Sequence, residues 1–592
     1  MNEQHPRASW CFGFLVFAGV AAAQSTERIS VDSAGMPSNG VSGHPSISAD
    51  GRFVAFESQA TNLVAGDTNA VKDVFVHDRV TGTTERVSVD SNGAQANGLS
   101  ARPSITPDGR FVAFESEATN LVAGDMNSYQ DIFIHDRVTG ETSRVSVAFD
   151  GGDPDSASVR ATLSADGRYV AFESQAMNLV PNDTFDQSDV FVRDRLNGST
   201  ERVSVDSSGA QAFHDSWSAS ISADGRYVAF ESAADNLVPN DTNHTNDVFV
   251  HDRATGQTTR VSLNDAGAEA NSESGAPAIS ADGRWVAFYS YASNLAPNGG
   301  LGANVFVRDL ITAHTTRISQ TPAGMPANGL SFGAFISADG RFVGFYSTAS
   351  NMVSGDTNAA SDTFVHDRFT GGMRIVSVDS SGGLGNDGSY GGSMSADGRW
   401  VAFESVATNL VPGDTNAAND IFVRDRGPQP FLIACFGDGS GGACPCANTG
   451  VAGHGCNNSV GTGGASLSGS GNASLSADTL VLTSSSELAS ASSVVLQGTD
   501  LIAPVAFGDG LRCAGGSLKR LYVHNAVGGV VAVPQGADLP ISVRSASLGD
   551  AIPPGATRHY QVYYRDPNLG FCAAPSGNTW NASESLSALW SN

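Results

Sequence analysis

The chain has 592 residues and sets 60 acidic side chains against 33 basic ones, for a formal charge of -27. That length exceeds one ordinary core, so two or more domains are expected. The negative charge repels phosphate backbones and anionic headgroups, which excludes nucleic acid as the main partner and favours divalent cations.

At the start, Arg7 precedes an apolar run over 10–23 that ends in Ala21-Ala22-Ala23. This reads as a signal peptide spanning 1–23. The run is too short to cross a bilayer and no later segment is long enough, so no membrane span is expected. The mature protein is expected to be secreted, extracellular or periplasmic.

From residue 24 to 428 the chain repeats. Asp-Gly-Arg begins at Asp50, Asp108, Asp166, Asp224, Asp282, Asp339 and Asp397, at intervals of 58, 58, 58, 58, 57 and 58 residues. Each unit holds short β-branched and aromatic runs, such as Phe53-Val54-Ala55-Phe56 and Val74-Phe75-Val76, bounded by glycine turns. Four antiparallel strands per unit, repeated seven times, predict an all-β fold, a seven-bladed β-propeller. The seventh unit stops at Gly427-Pro428 before its last strand. That strand stands instead at Thr26-Glu27-Arg28-Ile29-Ser30-Val31, so an N-terminal strand is expected to close the ring.

Ser-Ala-Asp-Gly-Arg-Phe-Val-Ala-Phe followed by Asp-Val-Phe-Val-x-Asp-x-x-Thr-Gly resembles the repeat of TolB-like propellers, a WD40-like class. The resemblance implies the propeller fold over residues 24–428. It leaves function open, because such propellers serve as binding scaffolds, as halves of peptidases and as pectin-fragment lyases.

The loop between the second and third strands carries the candidate site. Its Asp-x-Asn-x-x-x-Asp pattern recurs as Asp67/Asn69/Asp73, Asp125/Asn127/Asp131, Asp241/Asn243/Asp247, Asp356/Asn358/Asp362 and Asp414/Asn416/Asp420. The third unit keeps Asp183 and Asp189 around Phe185, and the fifth loses the pattern. Hard cations take six to eight oxygens, and such loops offer several at once, so calcium is the expected cofactor, with affinity on the order of 10⁻⁴ to 10⁻³ M. The competing reading is structural, with Asp and Asn holding the turn through backbone amides. Asn62, Asn120, Asn178, Asn236, Asn294 and Asn409 are read as purely structural.

Other motifs carry less. Gly329-Leu-Ser-Phe-Gly333 matches Gly-x-Ser-x-Gly, but a nucleophile elbow joins a strand to a helix, and here the motif falls between blades. His77, His135, His251 and His366 occupy equivalent positions, expected at exposed strand ends. His44, His214 and His244 lie on the long-loop face, where a substrate would enter.

Beyond residue 428 the composition turns to Gly, Ser, Ala and Cys. Cys435, Cys444, Cys446, Cys456, Cys513 and Cys572 imply up to three disulfides, a zinc site being the alternative. Apolar or alternating runs at 479–483, 493–497, 539–544 and 559–565 predict a smaller β-sandwich over 429–592. Trp580 and Trp590 are read as packed rather than as exposed platforms. Together these features point to an exported, non-catalytic binding or interaction scaffold, monomeric and calcium-stabilised, for a protein or carbohydrate ligand. The alternative is a carbohydrate-active hydrolase or lyase working on the long-loop face.

Overall fold

The computed structural model describes residues 24–427 apart from 301, 369 and 370, and 432–590 apart from 435–443, 445–447, 449–453, 471–472, 477, 508–509, 555 and 567–579. The expected signal peptide therefore lies outside the described residues.

Seven four-stranded antiparallel sheets form the propeller. In the first blade the strands run Ser42–Ile47, Phe53–Ser58, Asp73–Asp78 and Thr83–Arg86, from the central channel outward. The two middle strands are buried on both faces, which is why they read as continuous apolar runs. Phe56 pairs with Phe75 across them, with ring centroids 5.9 Å apart, and every blade repeats that Phe–Phe pair. The last sheet takes its outer strand from the N-terminus. Thr26–Arg28 pairs antiparallel with Asp420–Asp425, placing Thr26 opposite Arg424, so the ring is closed as the split repeat predicts.

Each Asp-Gly-Arg turn fastens its own blade and the next seam. Arg52 holds both carboxylate oxygens of Asp78, tying the first turn to the end of the third strand, and six other Arg–Asp pairs do the same. The glycine is obligatory twice over. Gly109 has φ +73°, and a Cβ there would sit 2.2 Å from Phe53 of the preceding blade. Phe53 is held between two guanidinium groups, Arg52 at 4.6 Å and Arg137 at 4.3 Å from its centroid. The same sandwich recurs on Phe111, Tyr169, Trp285, Phe342 and Trp400.

His77, His135, His251 and His366 are buried rather than exposed. In the first three the ring Nδ1 pairs with a threonine of the outer strand, as His77 does with Thr84 at 2.9 Å. Thr84 in turn donates to Val31 O across the seam. The strand end is covered because the segment linking consecutive blades crosses it. The asparagines read as structural behave so: Asn62 accepts from Asn39 N and donates to Pro37 O.

The C-terminal part contains a five-stranded sheet and a three-stranded sheet that share one core, including Leu467, Leu482, Val495, Tyr560, Val562 and Leu586. Trp590 is fully buried there, with its indole N–H on Tyr560 Oη at 2.9 Å. The stretch 539–544 departs from expectation, because Ile541–Ser547 is a helix. Pro540 opens it, and Ile541 and Ser545, four apart, supply its buried face. Cys444 and Cys456 are joined in a disulfide, so they are not a zinc pair, and Cys513 is also disulfide-bonded. Cys435, Cys446 and Cys572 lie outside the described residues.

This packing makes two stability predictions. Gly225→Ala, whose Cβ would fall 2.2 Å from Tyr169 at φ +73°, should cost about 2–3 kcal/mol in denaturant unfolding. Adding Tyr169→Ala should remove the overlap part of that loss. Burial pushes the Glu584 carboxyl from 4.5 up to about 7, despite a hydrogen bond from Leu467 N. A raised folded value means that its contribution is full below pH 4.5 and is lost as pH rises through 7. Glu584→Gln should flatten that slope in melting temperature against pH.

Candidate functional site

The predicted loops converge on their own blade's outer strand, where an arginine reaches the acidic pair in the first four blades and the seventh, and a glutamine of the linking segment joins it in the first and third. In the first blade Gln95 Nε2 donates to Asp67 at 2.8 Å and to Asp73 at 2.9 Å, and Ser88 donates to the other oxygen of Asp73 at 2.6 Å. Asn69 points its amide nitrogen at Asp73, and its oxygen accepts from Val71 N in a local turn. Arg86 Nη1 stands 3.6 Å from both carboxylates.

The central asparagines depart from the expected ligand role in the same way in the other blades. Asn127, Asn243 and Asn416 aim their amide nitrogens, not their oxygens, at Asp131, Asp247 and Asp420, at 3.1, 3.0 and 2.9 Å. Each nitrogen also donates to a carbonyl of the segment linking to the next blade, on Pro154, Ala270 and Ser38 respectively. Their amide oxygens accept from the backbone N–H groups of Tyr129, Thr245 and Ala418. Asn358 likewise donates to Gly385 O and accepts from Ala360 N. An amide donor aimed at the carboxylate stands where a ligand oxygen would be needed, and the oxygen is occupied in a turn. Asn69, Asn127, Asn243, Asn358 and Asn416, read from the sequence as metal ligands, make hydrogen bonds here that fasten the loop to its own strand and to the next blade.

The guanidinium recurs as well. Arg144 lies against Asp125 and Asp131, Arg202 against Asp183 and Asp189, and Arg260 against Asp241 and Asp247. Arg28, from the closing strand, lies against Asp414 and Asp420, 3.2 Å from each. The third blade shows that the central asparagine is dispensable, since Arg202 bridges its pair beside Phe185. Burial is the leading influence on Asp131, Asp189 and Asp241 and pushes each up to about 6. Asp241, Asp247 and Glu269 bring carboxylate oxygens within 4.8 Å of one another, close enough to share one cation. Arg260 Nη1 sits among them at 3.1, 3.0 and 2.8 Å. The signal for this partner was in the sequence, in the arginine of the recurring Thr-x-Arg-Val-Ser, but only strand pairing brings it to the loop.

The second feature is the central channel. Each innermost strand has a bulge whose extra residue has positive φ: His44 at 51°, Arg102 at 49°, Arg160 at 54°, Ser218 at 55° and Ala276 at 44°, with Gly333 and Gly391 in the last two. A non-glycine residue is strained in this conformation. A glutamate of the preceding blade holds it. Glu57 accepts from Arg102 N at 2.9 Å, Glu115 from Arg160 N, Glu173 from Ser218 N, Glu231 from Ala276 N and Glu404 from His44 N. These are the glutamates of the recurring Phe-Glu-Ser, to which sequence reading assigned no role. The fifth and sixth blades place Tyr289 and Tyr346 there instead.

The channel is therefore two-sided. His44, Arg102 and Arg160 project from the first three blades, their side chains 50, 39 and 44 % exposed. Tyr289, Tyr291, Phe332, Tyr346 and Tyr390 form a chain of aromatic contacts on the opposite side. A cavity of about 720 Å³ is lined by both sets, and one of about 700 Å³ by Arg102, Arg160, Trp217 and three of the glutamates. His44 lines this channel, whereas exposed His244 faces Asp235. Ser331 of the Gly-x-Ser-x-Gly motif is fully buried in an inner strand and bonded to Ser347.

Glu57 offers a pH test. Desolvation pushes its carboxyl up, but His44, Lys72 and the Arg102 amide together bring it from 4.5 down to about 2. Its stabilising contribution is present above pH 4.5 and disappears as pH falls through 2. Glu57→Gln should lower the neutral-pH melting temperature and reduce the loss on acidification.

No family model matches the chain, and no curated protein matches it. Solved structures do. The putative TolB from Agrobacterium tumefaciens shares 15% identity over 58% of this chain and 95% of its own, with TM-score 0.33. An oligogalacturonate lyase from Vibrio parahaemolyticus shares 11% over 68% and 97%, with TM-score 0.41. The β-propeller domain of the Trilobed protease from Pyrococcus furiosus shares 13% over 66% and 94%, with TM-score 0.40. That domain is described as having an open velcro topology, whereas the ring here is closed by its N-terminal strand. Seven four-stranded blades around a channel make this chain a seven-bladed β-propeller in fold.

Proposed function

We propose that the protein is an extracytoplasmic binding scaffold that takes an extended, carboxylate-bearing ligand, peptide or uronate saccharide, into the propeller channel. The observation that carries this is the two-sided lining. Half-exposed Arg102 and Arg160 each stand 3.5 Å from one channel glutamate, Glu115 and Glu173, and keep their remaining guanidinium N–H groups for a ligand carboxylate, while the aromatic wall opposite offers stacking faces. The bulge glutamates are committed to holding backbone N–H groups, which favours binding over catalysis by them. The disulfide between Cys444 and Cys456 supports an oxidising compartment, and no helix among the described residues is long and apolar enough to cross a membrane. The calcium component of this reading rests on the fourth blade, where Asp241, Asp247 and Glu269 converge around Arg260.

Titration calorimetry with acidic oligopeptides and with oligogalacturonate tests the channel. One of the two should bind, and Arg102→Ala with Arg160→Ala should weaken it by about tenfold per guanidinium removed. Binding indifferent to both substitutions, or cleavage of the saccharide, would overturn the scaffold reading.

A further inference from the structure

The arginine that stacks on the preceding blade's aromatic residue also reaches that blade's outer strand. Arg79, Arg137 and Arg253 each donate from Nε to a glutamate there, Glu27, Glu85 and Glu201. The three glutamates hold one register position, opposite Val423, Val76 and Val192 of the third strand. Three other seams carry neutral Ser143, Thr259 and Thr316 at that position. The sixth blade reverses the charge. Arg374 stands opposite Val365 in the same register, so the seam with the seventh blade sets Arg374 beside Arg426.

The consequence is visible at Arg426. It stacks on Phe342 at 4.6 Å and donates from Nη1 to Gly398 O, as its counterparts do in their seams. Its Nε, the atom that binds glutamate elsewhere, is buried without a hydrogen-bond partner. Burial, and after it the like charge of Arg374, push the Arg426 guanidinium from 12.5 down to about 10. Asp367 and Asp397 also act on it, but Arg341 already holds Asp367, and Asp397 accepts from Ser395 Oγ and Arg399 N. A cavity of about 320 Å³ opens at this seam, lined by Arg374, Arg424 and Arg426 beside Gln24, and no acidic residue is among its described lining. That is room for about ten waters. Arg424 adds charge rather than free donors, because it already holds Thr26 Oγ1, Asp379 O and Gln24 Oε1. In a chain with 60 acidic and 33 basic residues, such a lining inverts the general charge.

We propose that the seam between the sixth and seventh blades binds one small dianionic oxyanion of the phosphate or sulfate class, held by Arg426 Nε and the Arg374 guanidinium, where a glutamate carboxylate stands in three other seams. Charge sets the class. Glutamate beside the seam arginine makes a neutral pair, whereas Arg374 beside Arg426 leaves two positive charges, which a dianion balances. The planar fork of a guanidinium matches the oxygens of such an ion. This site goes beyond the ligand proposed for the channel and shares no residue with it.

Calorimetric titration of inorganic phosphate, inorganic sulfate and glycerol phosphate into the full mature chain, at low ionic strength, tests it. Phosphate and sulfate should each bind at one ion per chain, and acetate at least tenfold more weakly. Tenfold excess of the ion over its dissociation constant should raise the propeller melting temperature by about 2 °C. Arg374→Ala should weaken binding at least tenfold. Arg374→Glu should abolish it while raising the anion-free melting temperature, because it rebuilds the pair of the other seams. No heat from either ion, acetate binding as tightly as sulfate, or binding that survives Arg374→Glu would each overturn the proposal. Heat lost with Arg102→Ala and Arg160→Ala instead would place the ion in the channel and overturn it as well. Glycerol phosphate binding more tightly than inorganic phosphate assigns the site to an ester, and the opposite order to the free ion; either order supports the site. Arg374→Glu leaves ligand capture by Arg102 and Arg160 intact, so the two readings fail separately.

Discussion

The ring depends on one contact: the aromatic residue opening each second strand lies on the glycine of the next blade's Asp-Gly-Arg turn. That contact fixes the spacing between blades, because the ring can approach only where there is no Cβ. Guanidinium groups above and below the aromatic ring then hold the seam. This explains a compositional oddity. The chain has 33 basic residues, and only Lys72 and Lys519 are lysines. A planar guanidinium can stack on an aromatic face while its N–H groups bind a carboxylate or a carbonyl, as Arg137 does with Glu85 and Gly109 O; an ammonium cannot do all of this at once. One seam departs from the pattern, with Leu310 replacing the second arginine beside Tyr227.

Much of this was legible in the sequence because a repeat converts one local pattern into seven independent readings. Blade number, strand order and ring closure all followed from spacing and from the displaced Thr26–Arg28 strand. What escaped was whatever depends on pairing between distant segments. Arg86 lies 13 residues beyond Asp73 and becomes its neighbour only through the antiparallel register of the outer strands. Asn127, Asn243 and Asn416 have the residue type of a ligand, but which end of the amide faces the aspartate is decided by a carbonyl of the next blade's linking segment. The bulge at Arg102 carries no glycine to announce positive φ, because the Glu57 carboxylate of another blade supplies the holding force. The histidines looked exposed because a strand end normally is, until the neighbouring blade's connecting segment covers it. At 539–544 a proline followed by alternating residues looked like a strand, yet the i, i+4 pair Ile541 and Ser545 decided for a helix.

The acidic loops show how a charge cluster that looks like a metal site can be neutralised from within. With Arg28, Arg86, Arg144, Arg202 or Arg260 in place, two buried carboxylates carry their own counter-ion, and a guanidinium is fixed where an ion would have to enter. In the sixth blade, where Ile375 takes the arginine's place, burial favours the neutral form of Asp362, which is held by Ser377 and Asn358.

The closing strand also sets an order of events. Arg28 contacts Asp420 across a separation of 392 positions, so the segment made first is the one that completes the ring last. Joining ends that far apart costs on the order of 5 kcal/mol in chain entropy, met only when the seventh blade is present to receive them. Blades can assemble on one another as they are synthesised, since each seam joins consecutive units. The edge of the seventh blade stays open until then, an aggregation hazard during biogenesis. Protease resistance should accordingly arrive in one step, when the chain through Arg424 is complete and Thr26 can dock beside it.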